Sequence, residues 1–315
     1  MSRRKIIIDC DPGHDDAIAI LMGARHPKLE LLGVTTVRGN QPLDVTTNNA
    51  LNICQWLDID VPVCAGLERA IVRPSPIGES IMVGSRDGSG LDGHTFGPQT
   101  KKADPRHAVN FIIDTLRAER GRVTLVPTGP LSNIAMAIRL APDILPKIEE
   151  IVLMGGCYQL GNFTPAAEFN IYADAEAAHM VFTCGRPVTM MGLDITRKAL
   201  CLPSVTRRMG ENRNRAAELF VDLMTYFTAA QQRTFGWEGA PLHDPTCIAY
   251  LIDPGCIRTQ AMYTDIDISG GPSHGRTNCD FFHLSGKPEN AAVAVDIDVP
   301  RFWDIVESCI RCYNG

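Results

Sequence analysis

Four aspartates fall within eight residues near the N-terminus, in Asp9-Cys10-Asp11-Pro12-Gly13-His14-Asp15-Asp16. Carboxylates that close repel one another and hold protons more tightly unless a cation neutralises them. A hard divalent ion bound through oxygen ligands is the natural partner of such a set. A carboxylate opening a helix can also serve as a cap, which accounts for Asp15 or Asp16 but not for all four. The primary reading is a metal-dependent hydrolase centred on this turn. Two distant segments carry further candidates. His243-Asp244-Pro245 sets a histidine beside an aspartate just before an apolar run, although alone it reads more readily as a cap and a surface histidine. Residues 161–170, GNFTPAAEFN, offer Asn162, Glu168 and Asn170, groups suited to holding several hydroxyls of a sugar. A solvated surface turn has the same composition.

Positioning these groups falls to short apolar runs that alternate with amphipathic segments. The pattern predicts strands over 5–9, 29–37, 61–64, 122–127, 150–154 and 187–192. Between them it predicts helices over 15–25, 43–56, 107–119, from 131, and over 174–183. Near-continuous apolar strands separated by helices indicate a parallel sheet covered on both faces. Ligands of such sheets bind outside the carboxyl ends of the strands, where all four aspartates fall. A long helix over 215–234 and another from 244 follow, then runs at 264–269, 276–280 and 291–296 that read as antiparallel strands added to the sheet edge. A helix over 300–312 closes the chain. No repeat or linker divides it, so the expectation is one α/β domain over 1–315, a mixed, mainly parallel sheet flanked by helices with a Rossmann-like core.

Composition narrows the class. The formal charge of −6 and the scatter of Lys and Arg argue against a nucleic-acid partner. Eleven cysteines show no disulfide framework, and the single CxxC, Cys309 to Cys312, lacks the further ligands a zinc site needs. The basic residues Arg3, Arg4 and Lys5 precede only three isoleucines before Asp9, too short a run for a signal peptide. No stretch approaches the roughly 18 apolar residues of a membrane span. The expectation is a cytoplasmic enzyme with reduced thiols.

Taken together, the three segments resemble the inosine–uridine-preferring nucleoside hydrolase family. The N-terminal DxDPGxDD, here Asp9 to Asp16, is the most specific match. It continues through 35–40 (TTVRGN), 126–130 (VPTGP), 153–156 (LMGG), the 161–170 loop and His243-Asp244-Pro245, in the family's order. The chain looks most similar to bacterial ribonucleoside hydrolases that favour pyrimidines. The resemblance implies the nucleoside hydrolase fold, a homotetramer or homodimer, a small nucleoside substrate and one Ca²⁺ per subunit. Position by position, it gives Asp11, Asp16 and Asp244 to the metal through their side chains and Thr128 through its carbonyl. Asp15, Asn40, Asn162, Glu168 and Asn170 match residues that hold the ribose, and His243 matches the residue beside the departing base.

These roles compose a hydrolysis at C1′. Ca²⁺ would position a water and lower its pKa, with Asp11 accepting the proton. Carboxylates near the sugar would stabilise an oxocarbenium-like state, and His243 would protonate or orient the leaving base. Direct attack by water predicts inversion. Two features depart from the family pattern. Arg86 stands where relatives carry a histidine, and Gln231 and Phe235 fall where base-contacting residues lie, with a tyrosine more usual at the second. The resemblance implies hydrolysis of pyrimidine ribonucleosides, uridine and cytidine, to ribose and free base, with purine or broad specificity as the alternative. A haloacid-dehalogenase-like phosphatase also begins with DxD, and a non-catalytic nucleoside-binding protein could retain the ribose loop. Pro12-Gly13 with two further aspartates speaks against the first, and the set Asp11, Asp16 and Asp244 against the second.

Overall fold

Strand β1 (Arg4–Cys10) carries Ile6, Ile7 and Ile8, all fully buried. Ile6 and Ile8 join the core on one face of the sheet and Ile7 the core on the other, as the two-residue period of a strand requires. Each such isoleucine contributes roughly 1.5–3 kcal/mol relative to exposure. The computed structural model describes residues 3–74 and 89–314. β1 is followed by β2 (Leu29–Thr36), β3 (Val63–Ala65), β4 (Val123–Pro127), β5 (Ile148–Met154) and β6 (Val188–Met191). The strands lie in the order β3-β2-β1-β4-β5-β6, extended by Ala291–Ile297 and then Ile257–Met262. Every neighbouring pair is parallel except the last. This is the expected single-domain, mainly parallel α/β fold.

Helices cover both faces. Helix α1 (His14–Arg25), α2 (Leu43–Trp56) and the helices Arg215–Phe235, Pro245–Ile252 and Val299–Arg311 pack on the face of Ile6 and Ile8. The helices Ala108–Ala118, Ser132–Leu140 and Ala175–Phe182 pack on the face of Ile7. The long helix starts where the Asn214 side chain accepts the Ala217 N–H at 2.8 Å. It stops at Gly236, whose φ of 71° is left-handed and favours glycine.

The last third corrects the expectation of three antiparallel edge strands. Thr264–Ile266 and Thr277–Cys279 pair with each other in a separate two-stranded antiparallel ribbon. Ala291–Ile297 enters the sheet parallel to β6, and the antiparallel edge strand is Ile257–Met262, which no pattern had flagged. Short half-buried runs carry the same alternation in a ribbon as at a sheet edge, so their sequence does not specify a partner. Among the described residues, no helix is long and apolar enough to cross a membrane.

Candidate active site

The strand order reverses between β1 and β4, and loops leaving their carboxyl ends open a crevice at that point. The Asp9 carbonyl accepts the Thr128 N–H at 2.8 Å, which joins the two loops at their start. Asn49 holds the Pro12-Gly13 turn by donating to the carbonyls of Pro12 (2.9 Å) and Ser89 (2.6 Å). His14 stacks on Phe227 with ring centroids 4.9 Å apart, and its Nε2 lies 2.8 Å from the Asp92 carbonyl. The acidic turn is thereby fixed against the long helix.

The aspartates take distinct places. Asp16 accepts the Gly13 N–H at 3.0 Å and the Thr128 hydroxyl at 2.8 Å. One carboxylate oxygen from each of Asp15, Asp16 and Asp244 lies within 4.8 Å of the other two. Asp11 accepts the Asn40 N–H on Oδ2 at 2.6 Å, while its buried Oδ1 has no hydrogen-bond partner among the described residues. Main chain crowds this carboxylate: a Cβ on Gly39 would sit 2.0 Å from Oδ2 and one on Gly129 2.5 Å from Oδ1. Only glycine permits that approach. Asp9 faces the interior, where it accepts from the Thr35 hydroxyl (2.5 Å) and Asn133 (2.8 Å).

Burial dominates the electrostatics. It holds Asp11 well above the usual carboxylate range, with Asp16 adding to the effect. Burial and then Asp15 push Asp16 up to about 7, against hydrogen bonds from Gly13 and Thr128. Asp244 is raised well above its ordinary value by burial and then by Asp15 and Asp16. Mutually repelling buried carboxylates, one oxygen of them unpaired, form an all-oxygen donor set that fits a hard divalent cation. The convergent trio contains Asp15, which the resemblance gives to ribose. Asp11 stands beside it.

The 161–170 loop closes on itself and on the carboxyl ends of β4 and β5. Asn162 accepts the Phe169 N–H at 2.9 Å. Glu168 caps the short helix Phe169–Ala173 by accepting from Asn170 N (2.9 Å) and Ile171 N (3.2 Å), and it also accepts from Gly156 N at 2.9 Å. Burial nonetheless pushes its carboxyl up to about 7. Asn170 donates to the carbonyls of Thr128 (2.7 Å) and Met154 (3.1 Å), so the carbonyl assigned to a metal by resemblance is also a hydrogen-bond acceptor here. Asn40 reaches the Asp11 carbonyl with its side chain at 3.3 Å.

A cleft of about 420 Å³ gathers most of these groups, a size suited to a small molecule. Asp15, Asn40, Thr128, Asn162, Glu168, Asn170 and Asp244 supply polar lining, and Phe227, Gln231, Phe235 and Trp237 supply a second wall from the long helix and its exit. Gln231 is only 7% exposed and its Oε1 has no partner among the described residues, whereas Phe235 is 53% exposed and packs 5.2 Å from the Trp237 ring. His243 also lines the cleft. Burial lowers its pKa, an effect Asp15 opposes. Asp11 and Asp16 lie behind the lining rather than in it. Arg86 falls outside the described residues.

Sequence reading missed Thr196, Arg197, Phe227 and Trp237. Thr196 Oγ1 lies 2.7 Å from His243 Nδ1. Arg197 lines the cleft and donates to the carbonyls of Leu160 (2.9 Å) and Gly161 (2.7 Å), clamping the start of the 161–170 loop. The one legible signal for Thr196 and Arg197 was position, directly after β6 at the carboxyl edge of the sheet. Chemically, the cleft offers acids for water activation, amides and carboxylates for hydroxyls, and an aromatic wall with a histidine for a flat ring.

Comparison with known proteins agrees with this geometry. The family model described as inosine-uridine preferring nucleoside hydrolase matches residues 6–304. The chain is 54% identical, over 99% of both chains, to the pyrimidine-specific ribonucleoside hydrolase RihB of Escherichia coli K12. The solved purine-preferring ribonucleoside hydrolase from Gardnerella vaginalis superposes with a TM-score of 0.89 at 33% identity, covering 99% of each chain. A plant nucleoside hydrolase gives the same TM-score at 27% identity, covering 98% of this chain and 99% of its own. A match along nearly the whole length, with the acidic turn, the 161–170 loop and His243 meeting in one cleft, establishes that the chain belongs to the inosine-uridine preferring nucleoside hydrolase family.

Proposed function

We propose that this protein hydrolyses the N-glycosidic bond of pyrimidine ribonucleosides, uridine and cytidine, to ribose and free base. The observation that carries the reading is the meeting of the Asp11, Asp15, Asp16 and Asp244 cluster with Asn40, Glu168 and Asn170 around one cleft. The pyrimidine preference rests on the 54% identity to an enzyme described as pyrimidine-specific. The purine-preferring neighbour is more distant at 33%, and it makes purine hydrolysis the second reading.

Asp11, Asp16 and Asp244 would hold the cation with the Thr128 carbonyl, and the convergent geometry adds Asp15 as a further candidate. Ca²⁺, one per subunit, suits a donor set made only of oxygens. When bound, such an ion neutralises the cluster and acidifies a water molecule. Asp11, with Oδ2 fixed by Asn40 and Oδ1 without a partner among the described residues, would accept a proton from water. Asp15, Asn40, Asn162, Glu168 and Asn170 grip the ribose hydroxyls, and negative charge on Asp15 and Glu168 favours a cationic sugar ring. His243 protonates or orients the departing base, while Gln231 and Phe235 contact it. Water attacks C1′ directly and the configuration inverts.

Eleven free thiols suit a reducing cytoplasm. Exposed Phe282 and Leu284 suit burial between copies in a dimer or tetramer, which sedimentation would measure. The deciding assay offers uridine, cytidine, inosine, adenosine and their 2′-deoxy forms, and follows base release and the anomer formed. Release from uridine and cytidine with inversion is expected. Inertness toward every ribonucleoside, or a trapped covalent ribosyl-enzyme, removes the reading.

A further inference from the structure

We propose that Thr196 is a positioning residue for leaving-group departure, acting by holding the His243 ring so that Nε2 is presented to the base. The inference rests on the nucleoside-hydrolase reading above. Thr196 is fully buried in the short helix Leu193–Thr196, directly after β6. Its Oγ1 lies 2.7 Å from His243 Nδ1. The two ring nitrogens point to opposite sides of an imidazole, so engaging Nδ1 inside the protein leaves Nε2 for the cleft that His243 lines. A hydrogen bond at one ring nitrogen fixes the orientation of the ring and hence the direction in which the other nitrogen points.

The hydroxyl is itself well anchored. The Thr196 N–H donates to the Gly192 carbonyl at 3.1 Å. The same turn is locked to the ribose loop from both sides. Asp194 accepts the N–H groups of Tyr158 (2.8 Å) and Gln159 (3.1 Å), and Arg197 donates to Leu160 and Gly161. On the other side, Thr246 Oγ1 donates to the His243 carbonyl at 2.6 Å, which steadies the histidine's backbone. The imidazole thus sits between two rigid elements, and the Thr196 hydroxyl is the polar group that sets its rotation. A methyl group in that place would keep the packing and release the ring.

Thr196→Val and Thr196→Ser test this against uridine and against p-nitrophenyl β-riboside, whose phenolate departs without a proton. For Thr196→Val, kcat on uridine should fall about tenfold or more with KM changed by less than about threefold, while turnover of the nitrophenyl riboside falls less than about threefold. Thr196→Ser should recover most of the uridine rate. Equal losses on both substrates, a loss the serine variant does not recover, or no loss at all would each overturn the proposal. A wild-type enzyme that turns over neither uridine nor any other ribonucleoside would instead refute the nucleoside reading, and the proposal with it.

Discussion

The backbone N–H of Asn40 donates to Asp11 Oδ2 at 2.6 Å, while the other oxygen of the same buried carboxylate has no hydrogen-bond partner among the described residues. One oxygen is fixed by the protein and the other is left for chemistry. That asymmetry ties the residue's function to a cost in stability, because an unpaired buried acceptor is unfavourable.

Asp11→Asn should therefore separate the two. Turnover of uridine is expected to fall by about 100-fold or more, the range of a lost general base. Thermal stability of the chelator-treated protein should rise, since the repulsion with Asp16 is gone. Paired measurements of kcat and unfolding midpoint check both signs. Wild-type turnover in the variant would refute Asp11 as the base.

Removal of the cation should lower both activity and stability. A ligand at 100 times its Kd stabilises by about 2.7 kcal/mol. Scanning calorimetry before and after chelation, with Ca²⁺, Mg²⁺ and Zn²⁺ added back singly, identifies the ion. Ca²⁺ is expected to restore the midpoint and the rate together.

Glu168 gives the pH dependence. Its ordinary value is 4.5 and burial raises it in the folded protein to about 7. The fold thus binds this proton more tightly than the unfolded chain does. The associated stability is fully present below pH 4.5 and is lost as pH rises through about 7. Denaturant titrations in chelator between pH 5 and pH 8 should show stability falling with pH, less steeply in Glu168→Gln. The same variant should bind ribose more weakly, since ionised Glu168 accepts from hydroxyls. An unchanged slope would refute the assignment.

Gln231 bears on the base. Its buried Oε1 has no partner among the described residues and the residue lines the cleft, so a donor on the base can reach it. Gln231→Leu should leave the unfolding midpoint equal or higher and raise KM for uridine about tenfold, as expected for one lost hydrogen bond. With 3-methyluridine, which lacks the ring N–H, the two proteins should differ far less. Equal effects on both nucleosides would place Gln231 outside base recognition.

The chain's own residues already determined much of this. Four aspartates within eight residues pointed to a cation-binding turn, and Pro12-Gly13 turns them at the end of an isoleucine strand. Alternating apolar strands and helices fixed the parallel sheet, because only a sheet covered on both faces buries such runs. The order of Asp9–Asp16, residues 161–170 and His243-Asp244 carried the family.

Tertiary structure decided the rest. Residues 264–266 and 277–279 pair with each other, and 291–297 with β6, because strand partners depend on long-range packing that a short alternation does not encode. Thr196 and Arg197 look like ordinary turn residues in sequence. Their importance comes from partners 47 and 36 positions away, the His243 ring and the Gly161 carbonyl. The division among the aspartates is of the same kind. Sequence placed Asp9, Asp11, Asp15 and Asp16 in one turn, but burial, the Gly39 and Gly129 backbones and Asp244 arriving from another helix gave each carboxylate a different environment. A carboxylate's chemistry follows the groups around it, and those are assembled only when the sheet folds.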